Sequence, residues 1–229
     1  MTEYTINSTG AVVPAKGGTQ SILITMTADE FRDNRSDFPF HREMLHSLGS
    51  IRYCKAELYK NCIIGTMRVP RKEAQRAPEL CFGFCLTDKT LHIIEDTGEY
   101  KALVARLVNH SSGAARPSQL LLRLLELLTE NDVPYMMHIE TELERMEDEL
   151  GQKPGDDFFR RLTRHRQKLS ELGAYYGQLS DIGERLSDEV FREYGGLAGE
   201  MAGDPAKLLA MKLALQDCKG ELRLYAPLV

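Results

Sequence analysis

The chain has 229 residues, of which 42% are hydrophobic and 28% are charged, a composition typical of a soluble globular protein. Its net charge of −5 is uneven: residues 1–116 carry 15 Lys and Arg against 13 Asp and Glu, and residues 117–229 carry 14 against 21. An acidic half argues against a nucleic-acid partner, because phosphate binding requires a basic face. No signal peptide and no run of about 18 apolar residues is found, so we expect a cytosolic chain that does not itself cross a membrane.

The first residues read as strands followed by short helices. Strand-like runs cover residues 4–13 and 21–26, where apolar and β-branched residues recur. Thr27 is predicted to cap a short helix, because Glu30 three residues later completes a capping box. A second short helix is predicted over residues 40–48, ended by a glycine.

Two longer apolar stretches predict further strands. Residues 51–70 form either two strands around Lys60-Asn61 or one long bent strand. Residues 79–95 predict a hairpin, because two β-rich runs flank the turn residues Thr87-Asp88-Lys89. A helix follows where the apolar pattern changes from the strand period to the helix period. Together these features predict an α/β domain over residues 1–116, with a mixed sheet covered by helices.

The second half changes character, and residues 117–195 predict a long antiparallel helical hairpin that projects from the α/β domain. Ser118 is expected to cap the first helix, whose leucines run almost all round its first turns. Pro134 interrupts this helix, which either kinks there or restarts with Asp132 as a cap; we favour the kink. The return helix has an apolar seam at spacings of three and four, typical of knobs-into-holes packing. The leucines of this seam are Leu162, Leu169, Leu172, Leu179 and Leu186.

Acidic and basic residues are segregated between the two helices of the hairpin. The end of the outgoing helix is acidic, with Glu140, Glu142, Glu144, Glu147, Asp148 and Glu149. The start of the return helix is basic, with Arg160, Arg161, Arg164, Arg166 and Lys168. Antiparallel packing sets the two blocks side by side, so a solvated acidic face paired with basic side chains is the favoured interpretation. The alternative is a weak, exposed site for hydrated magnesium, which binds through one or two carboxylates and keeps its waters.

Residues 204–229 predict the start of a third helix. It opens at an aspartate followed by a proline and keeps an apolar seam as far as Tyr225, without a terminal glycine cap. We therefore expect the natural product to continue beyond Val229 into a membrane. In an oligomer this helix places acidic side chains between subunits, where they are candidate ligands for a divalent cation. These candidate ligands are Asp204, Asp217 and Glu221.

The sequence predicts no enzyme. The GxSxG, P-loop and GxGxxG motifs do not occur, and the six histidines lack partners at a meaningful spacing. The five cysteines include no CxxC pair, and Cys81 and Cys85 fall on one side of a strand-like run, where buried thiols act as small apolar groups. The expected cofactor is at most a weakly bound magnesium or other divalent cation, held by carboxylates rather than by cysteines or histidines.

The layout resembles the cytoplasmic part of the CorA family of divalent-cation transporters. The stretch PSQLLLRLLELLTENDVPYMMHIETELERMEDEL is similar to the family's outgoing long helix, in which paired leucines precede an acidic stretch. The stretch FFRRLTRHRQKLSELGAYYGQLSDIGERLSDE is similar to the return helix, and LCFGFCLTDKTLHIIED to the last hairpin of the α/β domain. The final stretch, AKLLAMKLALQDCKGELRLYAPLV, is then the upper part of the stalk helix that leads into the membrane.

The resemblance implies a regulatory domain in the cytoplasm of a transporter that lies in the inner or plasma membrane. In the family this domain forms a pentameric funnel whose subunits shift as cytosolic metal binds between them. The implied partner is therefore the chain itself, with membrane contact only through C-terminal segments that are missing here. The family's pore motif, Gly-Met-Asn, is absent. The family's regulatory site pairs an acidic residue of the α/β domain with an acidic residue on the neighbouring subunit's stalk. Here the first position is Glu43, and Lys207 stands at the second.

The alternative function is a free-standing soluble interaction or scaffold protein that binds partners through the helical arm.

Overall fold

The computed structural model describes most of the chain as far as Ser187. The described residues are 1–16, 19–34, 38, 41–59, 62–72, 79–96, 100–111, 116–151, 155 and 157–187, the last four of them by backbone alone. The stalk-like helix predicted over residues 204–229 lies outside them.

Seven strands form one mixed sheet in the described part of the chain. They are β1 (Thr2–Ile6), β2 (Val12–Pro14), β3 (Leu23–Met26), β4 (Lys55–Tyr59), β5 (Cys62–Val69), β6 (Leu80–Leu86) and β7 (Leu91–Ile94). Their order across the sheet is β2-β1-β3-β7-β6-β5-β4. β3 and β7 run parallel, and every other neighbouring pair is antiparallel. The predicted mixed sheet is confirmed. Residues 51–70 contain two strands, with Tyr59 of β4 opposite Cys62 of β5.

The helices begin close to where the sequence places them. Those described are α1 (Ala28–Asp33), α2 (His41–Leu48), α3 (Tyr100–His110), α4 (Pro117–Thr129), α5 (Asp132–Gly151) and α6 (Phe158–Ser187). The capping box is confirmed, because Thr27 Oγ1 accepts from the Glu30 N–H at 3.2 Å and Glu30 Oε2 accepts from the Thr27 N–H at 2.9 Å. The prediction that Ser118 caps α4 is wrong. Arg116 is the N-cap residue, although its side chain does not cap the helix, and Pro117 takes the first helical position, which needs no N–H donor.

The outgoing helix is interrupted and restarts at Asp132, which is the alternative to the kink at Pro134 that we favoured. α4 ends at Thr129 and α5 restarts at Asp132, so that Pro134 lies in the first turn of α5. A proline is tolerated there because the first N–H groups of a helix have no helical acceptor. Glu130 keeps helical angles, φ −53° and ψ −36°, so the chain bends over a short break. Asp132 is the first helical residue, and its buried carboxylate pairs with Lys72.

Helices cover both faces of the sheet. Because side chains alternate along a strand, Phe84 and Cys85 of β6 face opposite sides. α3, α4 and α6 pack on the face of Phe84, and α1 and α2 pack on the face of Cys85. α2 lies directly on the strand at Gly83, where an added Cβ would collide with the side chains of Met44 and Leu48. This close approach requires a residue without a side chain.

The helical hairpin has a near half that packs on the sheet and a far half that packs on itself. Tyr176 in the near half of α6 belongs to the sheet core, and Gln178 Oε1 accepts from the Cys54 backbone N–H at 2.8 Å. The hairpin that the sequence predicts to project from the α/β domain therefore packs on the sheet over the near half of α6. The seam is buried at Leu169, Leu172 and Leu179 and half-buried at Leu162, and the side chain of Leu186 lies outside the described residues.

One apolar core runs across the boundary predicted between residues 116 and 117. Leu120 and Leu124 of α4 share this core with Phe82 and Phe84 of β6. The division of the chain into residues 1–116, 117–195 and 204–229 stays a prediction.

Candidate metal-binding surfaces

The predicted ligand Glu43 lies in the first turn of α2, on its exposed side. The neighbouring Met44 is buried against the sheet, so the helical period turns Glu43 outward. Its charge acts on Tyr59 of the edge strand β4, whose hydroxyl donates to Glu57 Oε2 at 3.2 Å. Burial, the bond to Glu57 and the charges of Glu57 and Glu43 raise the pKa of Tyr59. Glu57 thus bonds the Tyr59 hydroxyl directly, and Glu43 acts on Tyr59 through its charge alone.

Lysine reduces the cation-binding capacity of this corner. Lys55 Nζ lies 2.8 Å from Glu57 Oε1, which compensates one of the two carboxylates. Glu43 is then the main uncompensated carboxylate of this corner, which is fewer than the several oxygen ligands that firm Mg²⁺ binding requires. Sequence reasoning identified Glu43 and missed Glu57. The available signal was the alternation in β4, which sets residues 55, 57 and 59 on one side of an edge strand.

The acidic block of α5 divides into paired and exposed carboxylates. The inner face of the helix is apolar and buried, with Met136, Ile139, Leu143 and Met146. Glu142 Oε1 pairs with Arg145 Nη1 at 2.6 Å, and Glu140 also has an interaction partner. The carboxylates of Glu144, Glu147 and Asp148 lie on the exposed side. This outer side is solvated, as the favoured interpretation states, and it remains accessible to hydrated cations.

The acidic and basic blocks meet in an antiparallel hairpin, as predicted. Arg161 binds both carboxylate oxygens of Glu149, with Nη1 to Oε1 at 3.3 Å, and its Nε lies 3.5 Å from Asp157. One turn further, burial lowers the pKa of His165, and the positive charges of Arg164 and Arg161 add to this effect. The bidentate Arg161–Glu149 pair fixes the register of the two helices near their connection.

No three His, Cys, Asp or Glu side chains in the described part of the chain are grouped so as to hold a metal ion. Asp204, Asp217 and Glu221 lie outside the described residues, so Glu43 is the one predicted ligand that the structure places. The structure does not test whether these four residues come together.

The described cysteines are small buried groups. Cys54, Cys62 and Cys85 are buried free thiols, and Cys81 is half-buried. Burial raises the pKa of Cys54 to about 11. A hydrogen bond between Cys85 and Cys62, together with burial, raises the pKa of Cys85. Cys62, the other partner of that bond, has a lowered pKa. Since the thiolate is the metal-binding form, the protonated thiols of Cys54 and Cys85 are poor ligands at neutral pH.

A buried ion pair was not found from the sequence. Lys72 Nζ donates to the Leu128 carbonyl at 2.8 Å and pairs with Asp132 Oδ1, whose side chain is 2% exposed. Asp132 Oδ2 has no hydrogen-bond partner. The pair ties the segment after β5 to the break between α4 and α5. Its two members are 60 residues apart, so no local sequence signal connects them.

Comparison with known proteins identifies the family. Residues 35–197 match the family model described as CorA-like Mg²⁺ transporter protein. The chain belongs to this family. The match runs from just before α2 to beyond α6, so it includes Glu43 and the whole hairpin, and it leaves β1, β2, β3 and α1 outside. No curated protein gives a significant match.

Solved structures with low sequence identity share the fold of this CorA-like chain. The full-length CmaX protein matches with a TM-score of 0.74 at 13% identity, over 99% of this chain and 73% of that one. The complete CorA magnesium transporter from Methanocaldococcus jannaschii matches with a TM-score of 0.73 at 13% identity, over 99% and 73%. The cytoplasmic domain of ZntB from Vibrio parahaemolyticus RIMD 2210633 matches with a TM-score of 0.65 at 10% identity, over 98% and 94%. None of the helices described for this chain is both long and apolar enough to cross a bilayer.

Proposed function

We propose that the chain is the cytoplasmic, metal-responsive domain of a transporter for magnesium or another divalent cation, and that it is not an enzyme. Membership of the CorA-like Mg²⁺ transporter family supports the substrate class. The fold match to the ZntB cytoplasmic domain supports the location, because it extends over 98% of this chain and 94% of that domain. This near-complete match is the observation that carries the proposal.

The metal response is assigned to weak binding of a hydrated divalent cation between subunits. Glu43 is exposed on α2 and acts on the same tyrosine as Glu57. One such corner gives too few ligands for firm binding, because Mg²⁺ requires octahedral oxygen coordination. The missing carboxylates are assigned to the C-terminal segment of a neighbouring subunit, through Asp204, Asp217 and Glu221. A site shared between subunits makes assembly depend on the metal concentration.

A magnesium titration tests this assignment. Calorimetry and sedimentation velocity on the 229-residue chain should show heat and a change in mass or shape at millimolar MgCl₂. Glu43→Gln should weaken both responses. Asp88→Asn should not, because Asp88 is an exposed carboxylate in the turn between β6 and β7. No response to magnesium, together with tight zinc binding that is lost in Cys81→Ser, would overturn the proposal.

A homo-oligomer is proposed as the functional form. Val133 and Met137 lie one turn apart on α5 and are 56% and 61% exposed, although large apolar side chains are normally covered. A surface of this kind suits contact with another protein chain. The same observation favours the alternative function, a free-standing interaction protein that binds through its helices.

Sedimentation distinguishes these two functions. Self-association of the chain that is lost in Met137→Glu and kept in Glu144→Gln supports the oligomer. A chain that stays monomeric with and without magnesium favours the interaction protein.

A further inference from the structure

The outer sides of the two long helices carry charges that the hairpin itself does not pair. Glu147 and Asp148, near the end of α5, are exposed, and so are Arg160 and Arg164, near the start of α6. The side chains of these four residues form no hydrogen bond or ion pair with any other described residue. An acidic surface and a basic surface of the same hairpin are therefore both left without a counter-charge.

The same outer sides carry a second pair of matching features, nearer the sheet. On α5, Val133 and Met137 are large apolar side chains that are exposed one turn apart. On α6, Ser170 and Ala174 are exposed, also one turn apart, and both are small. Large side chains on one helix interdigitate well with small residues on a facing helix, because the small residues let the two backbones approach.

Each set of four residues lies on one side of its helix. At 3.6 residues per turn, each set falls within about a third of the helix circumference. We call the first set the α5 stripe, with an apolar part (Val133 and Met137) and an acidic part (Glu147 and Asp148). The second set is the α6 stripe, with a basic part (Arg160 and Arg164) and a small part (Ser170 and Ala174).

The two stripes match in level along the hairpin. Near the connection, Glu149 of α5 binds Arg161 of α6. Nearer the sheet, burial and the charge of Glu171 of α6 raise the pKa of Tyr135 of α5, which places these two residues close to one level. Because the helices are antiparallel, the acidic part of the α5 stripe lies level with the basic part of the α6 stripe, and the apolar part lies level with the small part, each to within about one turn.

We propose that copies of this chain associate side by side through their hairpins, with the α5 stripe of one copy packed against the α6 stripe of the next. The contact is head-to-tail because two different surfaces meet. Copies related by rotation about an axis along the hairpin meet at equal heights, so both parts of each stripe match at once. A foreign partner would have to fit an acidic and a basic stripe, whereas a second copy supplies both. This inference rests on the proposed homo-oligomer and assigns a contact to it.

Sedimentation velocity on the full chain, with charges reversed in pairs, tests the contact. Glu147→Arg with Asp148→Arg should weaken self-association by about tenfold or more, because like charges that face each other across an interface repel. Arg160→Glu with Arg164→Glu should have the same effect. All four exchanges together should restore association, since the facing charges are then opposite again. Variants that had lost their fold would not be rescued in this way.

Two controls separate the contact from changes in net charge or helix surface. Asp33→Arg with Asp88→Arg alters the net charge as much as the α5 pair does, at exposed positions outside the stripes, and should associate as the wild type does. Ala174→Glu should weaken association by blocking the close approach of the helices. Ala105→Glu, on the exposed side of α3, should not.

The outcomes distinguish this contact from the oligomer itself. If the chain self-associates and both charge-reversed pairs associate as the wild type does, the contact is wrong while the proposed oligomer stands. If the fourfold exchange stays as weak as either pair, the two stripes do not face each other. A chain that is monomeric under all conditions refutes the contact and the oligomer together.

Discussion

Replacing Leu172 by alanine tests how the hairpin is held on the domain. Leu172 is 0% exposed and lies in the core that α6 shares with the sheet. The change removes three carbons, worth about 2 kcal/mol at 0.8 kcal/mol per buried methylene. A cavity term adds to this, because surrounding side chains relax only in part, and buried Leu→Ala changes typically cost about 3–5 kcal/mol.

We therefore expect Leu172→Ala to lower the free energy of unfolding by about 3–4 kcal/mol. In a chain of this size the melting temperature should fall by roughly 10 °C. Urea unfolding followed by far-ultraviolet circular dichroism measures the free energy, and calorimetry measures the temperature.

Leu150→Ala is the matched control, because Leu150 is a leucine of the same hairpin that is 60% exposed. It should change the free energy of unfolding by less than about 0.5 kcal/mol. If Leu172→Ala is as mild as Leu150→Ala, the seam faces solvent and the packing of α6 described above is wrong. Equal large losses at both positions would show that the far end of the hairpin is covered by another chain.

Three further predictions concern single contacts. Lys72→Met leaves the Asp132 carboxylate buried without its counter-charge and should lower the free energy of unfolding in urea by about 3–5 kcal/mol. Adding Asp132→Leu should recover much of this loss, and no recovery would contradict the ion-pair argument. Thr27→Ala removes a capping box and should cost about 1 kcal/mol in the same assay, whereas a neutral change would show that α1 does not depend on its cap. Burial lowers the pKa of His92 to about 4, below its ordinary 6.5. The folded state therefore binds fewer protons than the unfolded state, and stability should fall by up to about 3 kcal/mol as the pH drops from 6.5 through 4. His92→Gln should flatten that part of the pH profile, and an unchanged slope would refute the assignment.

Local signals in the sequence predicted the elements whose causes are local. The capping box that opens α1 and the turn between β6 and β7 depend on residues within four positions of one another. The Thr87 N–H donates to the Thr90 carbonyl at 2.9 Å and closes the hairpin where the turn chemistry indicated. Element type followed from apolar periodicity, because burial on one face forces that period on the sequence.

Contacts between distant segments were beyond sequence reasoning. Ser118 looked like a cap because its type is common there, but the helix starts one residue earlier at Pro117 and buries the serine in its first turn. Pro134 suggested a kink at its own position, whereas the break lies upstream, where Lys72 bonds the Leu128 carbonyl at the end of α4. The sequence offered both a kink and a restart at Asp132, and it could not decide between them because Lys72, which pairs with Asp132, comes from another part of the chain.

The candidate metal site was predicted in part. Charge patterning identified Glu43 and the acidic block of α5, since clusters of carboxylates are visible in the sequence. It did not identify Glu57, because a single glutamate close to a lysine in β4 forms no visible acidic cluster.

The segment after β5 connects the sheet to both arms of the hairpin. Lys72 binds the junction of α4 and α5, and the carbonyl of the adjacent Arg71 accepts from Lys168 Nζ of α6. Two neighbouring residues therefore hold the outgoing and the return helix at once. A rotation of the hairpin against the sheet has to break these contacts or carry the end of β5 with it.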